Sequence, residues 1–199
     1  MLRNLVSHLA QLWRFNGREG VAAFWTYAMF VIIGLLWAMM AAMMPVMARM
    51  MAKASEIARS HPEDVTVSSG PGNFSVQIHG YHPELQPDFS DMTGAMMPIM
   101  VVAIILLAAA VTRRLHDGGR RGWWGLLPLP FLFAGLYLMP RISAAMMAAP
   151  NPDLTAFFAL FVNNVVYLAL LGLLIYFLIK PGDGLANRYG EPPANSGRL

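Results

Sequence analysis

The chain has 199 residues, 57% of them hydrophobic and 13% charged, with a mean hydropathy of +0.50. Soluble domains carry about 25% charged residues, so these values argue against a single water-soluble globule, and they exclude disorder, which needs low hydrophobicity and high charge. With no cysteine there is no disulfide, thiolate metal site or cysteine nucleophile, and the net charge of +3 is not gathered into a solvated basic face that would take nucleic acid.

Residues 1–14 come first, as an amphipathic pattern. Leu2, Leu5, Val6, Leu9, Leu12 and Trp13 share one face; Arg3, Asn4, Ser7, His8, Gln11 and Arg14 share the other. This spacing predicts a helix lying in the cytoplasmic interface or, equally, one packed on the inner end of a bundle. The first apolar run is preceded by twenty residues and is too long for a signal-peptide core, so it is expected to anchor rather than to be cleaved.

Four stretches are long enough to cross a bilayer, at about 21–48, 92–112, 123–139 and 155–179, since a span takes about 20 apolar residues. Pro45 and Pro98 lie near the outer ends of the first two. The third is the shortest, and Pro128 and Pro130 predict a kink or local break that neighbouring helices must compensate. Between the first two spans lies a loop, roughly 53–91. Its alternating segment from Val65 to Ile78 carries a Gly70-Pro71-Gly72 turn and predicts a small β-hairpin. The expected fold is an all-α, four-transmembrane-helix bundle with an N-terminal interfacial helix and a small outer loop. It forms one membrane domain over residues 1–193, followed by a short tail, 194–199.

Basic residues set the expected orientation. With both termini cytoplasmic, the inner segments hold ten of the fourteen lysines and arginines, and the outer segments hold seven of the eleven acids. Only Arg49, Lys53, Arg59 and Arg141 fall outside. The inward bias of Lys and Arg therefore predicts four spans with both ends inside. Trp25, Tyr27, Trp123, Trp124 and Tyr176 fall near the expected inner boundary.

Three clusters lie on that inner side. Phe15-Asn16-Gly17-Arg18 runs into Phe24-Trp25. Arg113-Arg114-Leu115-His116-Asp117-Gly118-Gly119-Arg120-Arg121-Gly122-Trp123-Trp124 joins the second and third spans. Pro181-Gly182-Asp183-Gly184-Leu185-Ala186-Asn187-Arg188-Tyr189-Gly190-Glu191-Pro192-Pro193 follows the last. Together, over nearly all of residues 13–193, they resemble the bacterial inner-membrane family catalogued as domain of unknown function 805. The sequence differs from the usual family pattern in its apolar Val21-Ala22-Ala23 and in Arg121, where a small residue is common. The resemblance implies a bacterial inner-membrane protein, multi-pass, of undefined activity, and lends no reaction.

Four arginines, a histidine and an aspartate within nine residues form an unusual charge density beside a bilayer. Arginine presents a planar five-donor fork suited to phosphate, and Gly118, Gly119 and Gly122 permit tight turns and close backbone approach to an anion. The candidate site for an anionic headgroup or a partner is thus Arg18, Arg113, Arg114, His116, Asp117, Arg120, Arg121, Trp123, Trp124, Asn187, Arg188 and Tyr189. The competing reading is structural. Charge and tryptophan at a cytoplasmic boundary serve topology, Asp117 pairs with Arg113, Arg114 or Arg188, and Gly118-Gly119 caps the second span.

Adjacent His116 and Asp117 point about 100° apart on a helix, and no recognisable nucleophile, phosphate-loop or zinc motif is present. No catalytic residue, metal or cofactor is expected. The expected function is a non-enzymatic lipid-interacting or adaptor protein. Its partners are membrane lipids, another inner-membrane protein or a second copy of the chain, and not nucleic acid. A small oligomeric transporter or channel is the alternative, with Asn163 and Asn164 inside the fourth span as its polar features or, more simply, as interhelical glue. A remote alternative is Cu(I) binding at the outer side, where fourteen of the sixteen methionines lie near His61, His79 and His82; thioethers suit Cu(I), but methionine also fills gaps between packed helices.

Overall fold

The structure, a computed structural model, describes residues 8–70, 73–79, 89–148 and 154–193. Four long helices dominate it: α1 (Val21–Ser60), α2 (Phe89–Asp117), α3 (Leu129–Ala148) and α4 (Leu154–Ile179). Each contains a stretch long and apolar enough to cross a membrane. Their exposed faces are apolar too, with Leu36, Trp37, Val102, Phe161, Val162 and Leu168 all more than half exposed. Such a surface would be a liability in water and suits contact with lipid. The chain is a multi-pass membrane protein by this composition.

The helices differ from the sequence expectation mainly at their ends. α1 runs 40 residues, or about 60 Å at 1.5 Å per residue, twice the roughly 30 Å hydrocarbon thickness. Its last turns carry Arg49, Lys53, Glu56 and Arg59 and continue the helix into the segment read as loop. A 3₁₀ turn, Pro62–Asp64, follows. Then β1 (Val65–Gly70) and β2 (Asn73–Ile78) pair antiparallel, Val65 opposite Ile78; the Pro71-Gly72 turn lies outside the described residues. The third apolar stretch begins as a 3₁₀ turn, Gly122–Leu126, and becomes α-helical only at Leu129. Pro128 and Pro130 therefore flank the start of α3, where a missing backbone N–H breaks no helical hydrogen bond. Of the amphipathic start, residues 1–7 lie outside the described region; 8–10 are helical and 11–13 turn.

α1 packs chiefly along α2 and α3 along α4, with α2 touching all three partners. The buried core gathers at one end: Phe24, Tyr27, Ala28 and Val31 of α1, Ala110 and Leu115 of α2, and Leu178 of α4. Small residues such as Ala28 and Ala110 let helices approach closely where no hydrophobic effect drives them together. Tyr27 donates its hydroxyl to the Leu106 carbonyl at 2.9 Å, and Asn163 donates to the Phe131 carbonyl at 3.0 Å, joining α4 to α3. The core end is also the end where all three motif segments meet; it is called the motif end below, and the hairpin end is the far end.

Candidate functional site

The last turn of α2 organises the motif end. Arg114 and Asp117 are three residues apart and so share a helix face, where they form an ion pair whose side chains are both about 1% exposed or less. The second Asp117 oxygen accepts from Arg18 Nε at 3.0 Å. One carboxylate is thus shared between two guanidiniums that arrive from different parts of the chain.

The remaining donors of these arginines go to backbone carbonyls. Arg114 Nε bonds the Leu178 carbonyl at 2.9 Å, and another of its nitrogens bonds the Lys180 carbonyl. Those oxygens lie at the C-terminus of α4, where carbonyls lack intrahelical partners and the helix dipole is negative, so Arg114 caps α4 from α2. Arg18 reaches the carbonyls of Leu185 at 2.7 Å, Gly190 at 3.1 Å and Asp183, pinning the segment after α4. Arg113 pairs with Glu19 at 2.9 Å, its other bonds going to the carbonyls of Gln11 and Arg14. Glu19 in turn bonds His8, whose ring stacks on Tyr27 at 4.4 Å. Three arginines and two carboxylates leave one positive charge in excess, spread over carbonyl oxygens. Desolvating such groups is tolerable only when every donor finds a partner, and among the described residues no buried side-chain N or O is left without one.

Two glycines make this closure possible. Gly119 sits at φ +69° just past α2, with Arg120 N–H bonding the Leu115 carbonyl at 2.9 Å and Gly119 N–H bonding that of His116 at 3.0 Å. This is the Schellman arrangement, whose left-handed residue favours glycine. Gly182 is needed for proximity instead: a Cβ there would run into the Asp117 carboxylate.

His116 and Asp117 serve different neighbours. The His116 ring meets the Gly17 carbonyl at 3.3 Å and stacks on Tyr189 at 3.7 Å. Asn187 bonds the His116 carbonyl at 3.0 Å and holds its own turn through the Tyr189 N–H. Arg188 bonds the Gly119 carbonyl at 3.1 Å and lies over the Tyr189 ring. Arg120 lies 4.1 Å over Phe177, which Trp124 meets edge-on, and Trp123 stacks on Trp124.

Direct contacts thus join Arg18, Arg114 and Asp117 and join His116, Asn187, Arg188 and Tyr189, whereas Arg113 pairs with Glu19 and Arg120, Trp123 and Trp124 gather around Phe177. Arg121 is exposed and Trp123 is 47% exposed, both on the rim. Glu19, His8, Asp183 and Gly182 were absent from the candidate set. Glu19 is the single acid in the first twenty residues, and Gly182 and Asp183 lie in the third motif cluster. Around the closed centre, Arg14, Arg121, Lys180 and Arg188 are exposed, as are Trp13 and Leu185.

At the far end, His61, Glu63 and Asp64 offer ligand atoms within 4.8 Å of one another, largely in the open. The Glu63 carboxyl is held below its usual range by its own backbone N–H and by His61. Met40, Met44, Met47 and Met51 point outward and are more than half exposed; His82 lies outside the described residues.

A family model described as a protein of unknown function, DUF805, matches residues 12–191 of the chain. No curated protein and no solved structure matches it.

Proposed function

The chain belongs to the DUF805 family, whose function is unknown, and on that premise we propose that it acts by binding rather than by catalysis, holding anionic phospholipid headgroups at the motif end. In this reading the motif end faces the cytoplasmic side of a bacterial inner membrane, with both termini there, as the distribution of Lys and Arg favours.

The observation that carries the proposal is the division of the cations. Arg18, Arg113 and Arg114 are spent on internal carboxylates and carbonyls, so they shape the platform. Arg14, Arg121, Lys180 and Arg188 stand on its exposed surface beside Trp13 and Trp123. Basic side chains near an anionic leaflet each contribute about 1 kcal/mol, and tryptophan favours the headgroup depth. A set of four with two aromatic anchors is enough to select anionic over zwitterionic lipid. His116 and Asp117, occupied by separate structural partners, support binding over acid–base chemistry.

The test uses the full chain purified in mild detergent, with melting temperature followed as phosphatidylglycerol or phosphatidylcholine is added. Phosphatidylglycerol is expected to stabilise it more, and changing Arg14, Arg121, Lys180 and Arg188 together to glutamine is expected to erase the difference. A full preference retained by that variant sinks the headgroup reading.

A further inference from the structure

A cavity of about 690 Å³ lies among all four helices, within the 300–1,000 Å³ of small-molecule sites. Its walls are apolar, with Leu35 of α1, Ala108 of α2, Leu132 of α3 and Leu171 of α4 among them. Its polar lining residues include Thr112, His116 and Trp123 at the motif end and Tyr167 midway along α4. Protein interiors are packed to crystal-like density, and an apolar cavity excludes water and takes apolar guests. Between helices that cross a bilayer, the guest at hand is hydrocarbon.

The shape narrows the choice. Along α2 the lining runs from Met100 to His116, about 24 Å at 1.5 Å per residue, which is more than one leaflet's share of the roughly 30 Å hydrocarbon layer. A slot of that length admits a chain lying along the helices. The motif end of the slot also has the right electrostatics for a lipid rather than a plain hydrocarbon: Trp123, 47% exposed, lines it, exposed Arg121 precedes it by two residues, and a phosphate carried by the guest would meet them there.

We propose that this cavity is a tail-binding site, holding one acyl chain of a phospholipid whose phosphate rests on the motif-end rim. The chain's position rests on the cavity itself; the placement of its headgroup rests on the function proposed above. A second copy of the protein inserting a side chain is the competing occupant.

Native mass spectrometry of the full chain, released from detergent after addition of palmitoyl-oleoyl phosphatidylglycerol or phosphatidylcholine, separates these cases. Wild type is expected as a monomer with one lipid retained. Ala108→Phe, which projects a ring into the cavity, is expected to weaken retention of both lipids about tenfold, a change of about 1.4 kcal/mol. Ala108→Leu, a gentler filling, is expected to weaken it less and serves should the larger ring prevent folding. Leu168→Phe, on the exposed face of α4, is expected to bind as wild type does. Folded Ala108→Phe and Ala108→Leu proteins that keep lipid at the wild-type level overturn the tail site, as does a dimer that these substitutions dissociate. Equal retention of the two lipids by wild type, with loss in Ala108→Phe, overturns the headgroup reading and leaves the tail site standing.

Discussion

The two ends of the bundle use ion pairs in opposite ways. At the motif end, Asp117 and its two arginine partners have side chains about 1% exposed, and their bonds span up to 172 residues of sequence. At the far end, Arg49 of α1 meets Asp91 of α2 at 2.9 Å, with both side chains more than half exposed. The distances are similar and the consequences are not. An exposed pair is screened and holds two flexible side chains, contributing about 0–1 kcal/mol. A buried pair adds little beyond an apolar replacement, yet breaking one partner strands a desolvated charge. The motif end is therefore a lock whose parts depend on one another, while the far end is held by helix packing with local electrostatic support.

Four substitutions press on that contrast. The largest loss is expected from Asp117→Asn, which leaves Arg18 and Arg114 buried without their carboxylate and should cost about 3–5 kcal/mol, measured by denaturant titration in lipid–detergent micelles. A cost below that of an exposed pair would mean the centre is hydrated and open. Gly182→Ala comes next: its Cβ would land on the Asp117 carboxylate, and forcing the backbone aside should cost about 1–3 kcal/mol. Its effect should shrink in the Asp117→Ala background, and additivity in that double-mutant cycle would deny the contact.

Gly119→Ala places a Cβ at a left-handed residue and should cost about 1–2 kcal/mol, read as a lower melting temperature. The smallest effect is expected at the far end. Arg49→Ala should change stability by about 0.2–1 kcal/mol, less at high salt than at low. If Arg49→Ala equals Asp117→Asn in the same titration, the contrast between the ends is lost.

Local regularities made much of this readable in advance. Apolar runs near twenty residues mark α2 and α4, and the i, i+3 spacing of Arg114 and Asp117 places both on one face before any tertiary contact is known. Gly118-Gly119 after an apolar helix similarly suggests a cap. Glu19 and His8 were not legible as site residues, because the partner of Glu19 is Arg113, 94 residues away, and no local spacing encodes that pairing. Gly182 lies in the third motif cluster, but its role was not readable, since its small size matters only where Asp117 stands beside it. The helix α1 outlasts the apolar run for a different reason. Charges after Met47 signalled departure from hydrocarbon, but leaving the membrane does not oblige a helix to stop, and the α1 backbone continues to Ser60.

By itself the sequence determined the class of the protein: hydrocarbon-length apolar runs must form helices that satisfy their own backbone in lipid, and their number and basic flanks follow from composition. Tertiary structure alone decided which basic residues face outward. Arg113, Arg114 and Arg121 have the same side chain in one short segment, yet two are enclosed among carbonyls and carboxylates from distant segments and one stands in the open. That distinction arises from chain closure, because a guanidinium can be buried only where another part of the chain brings acceptors to every side of it.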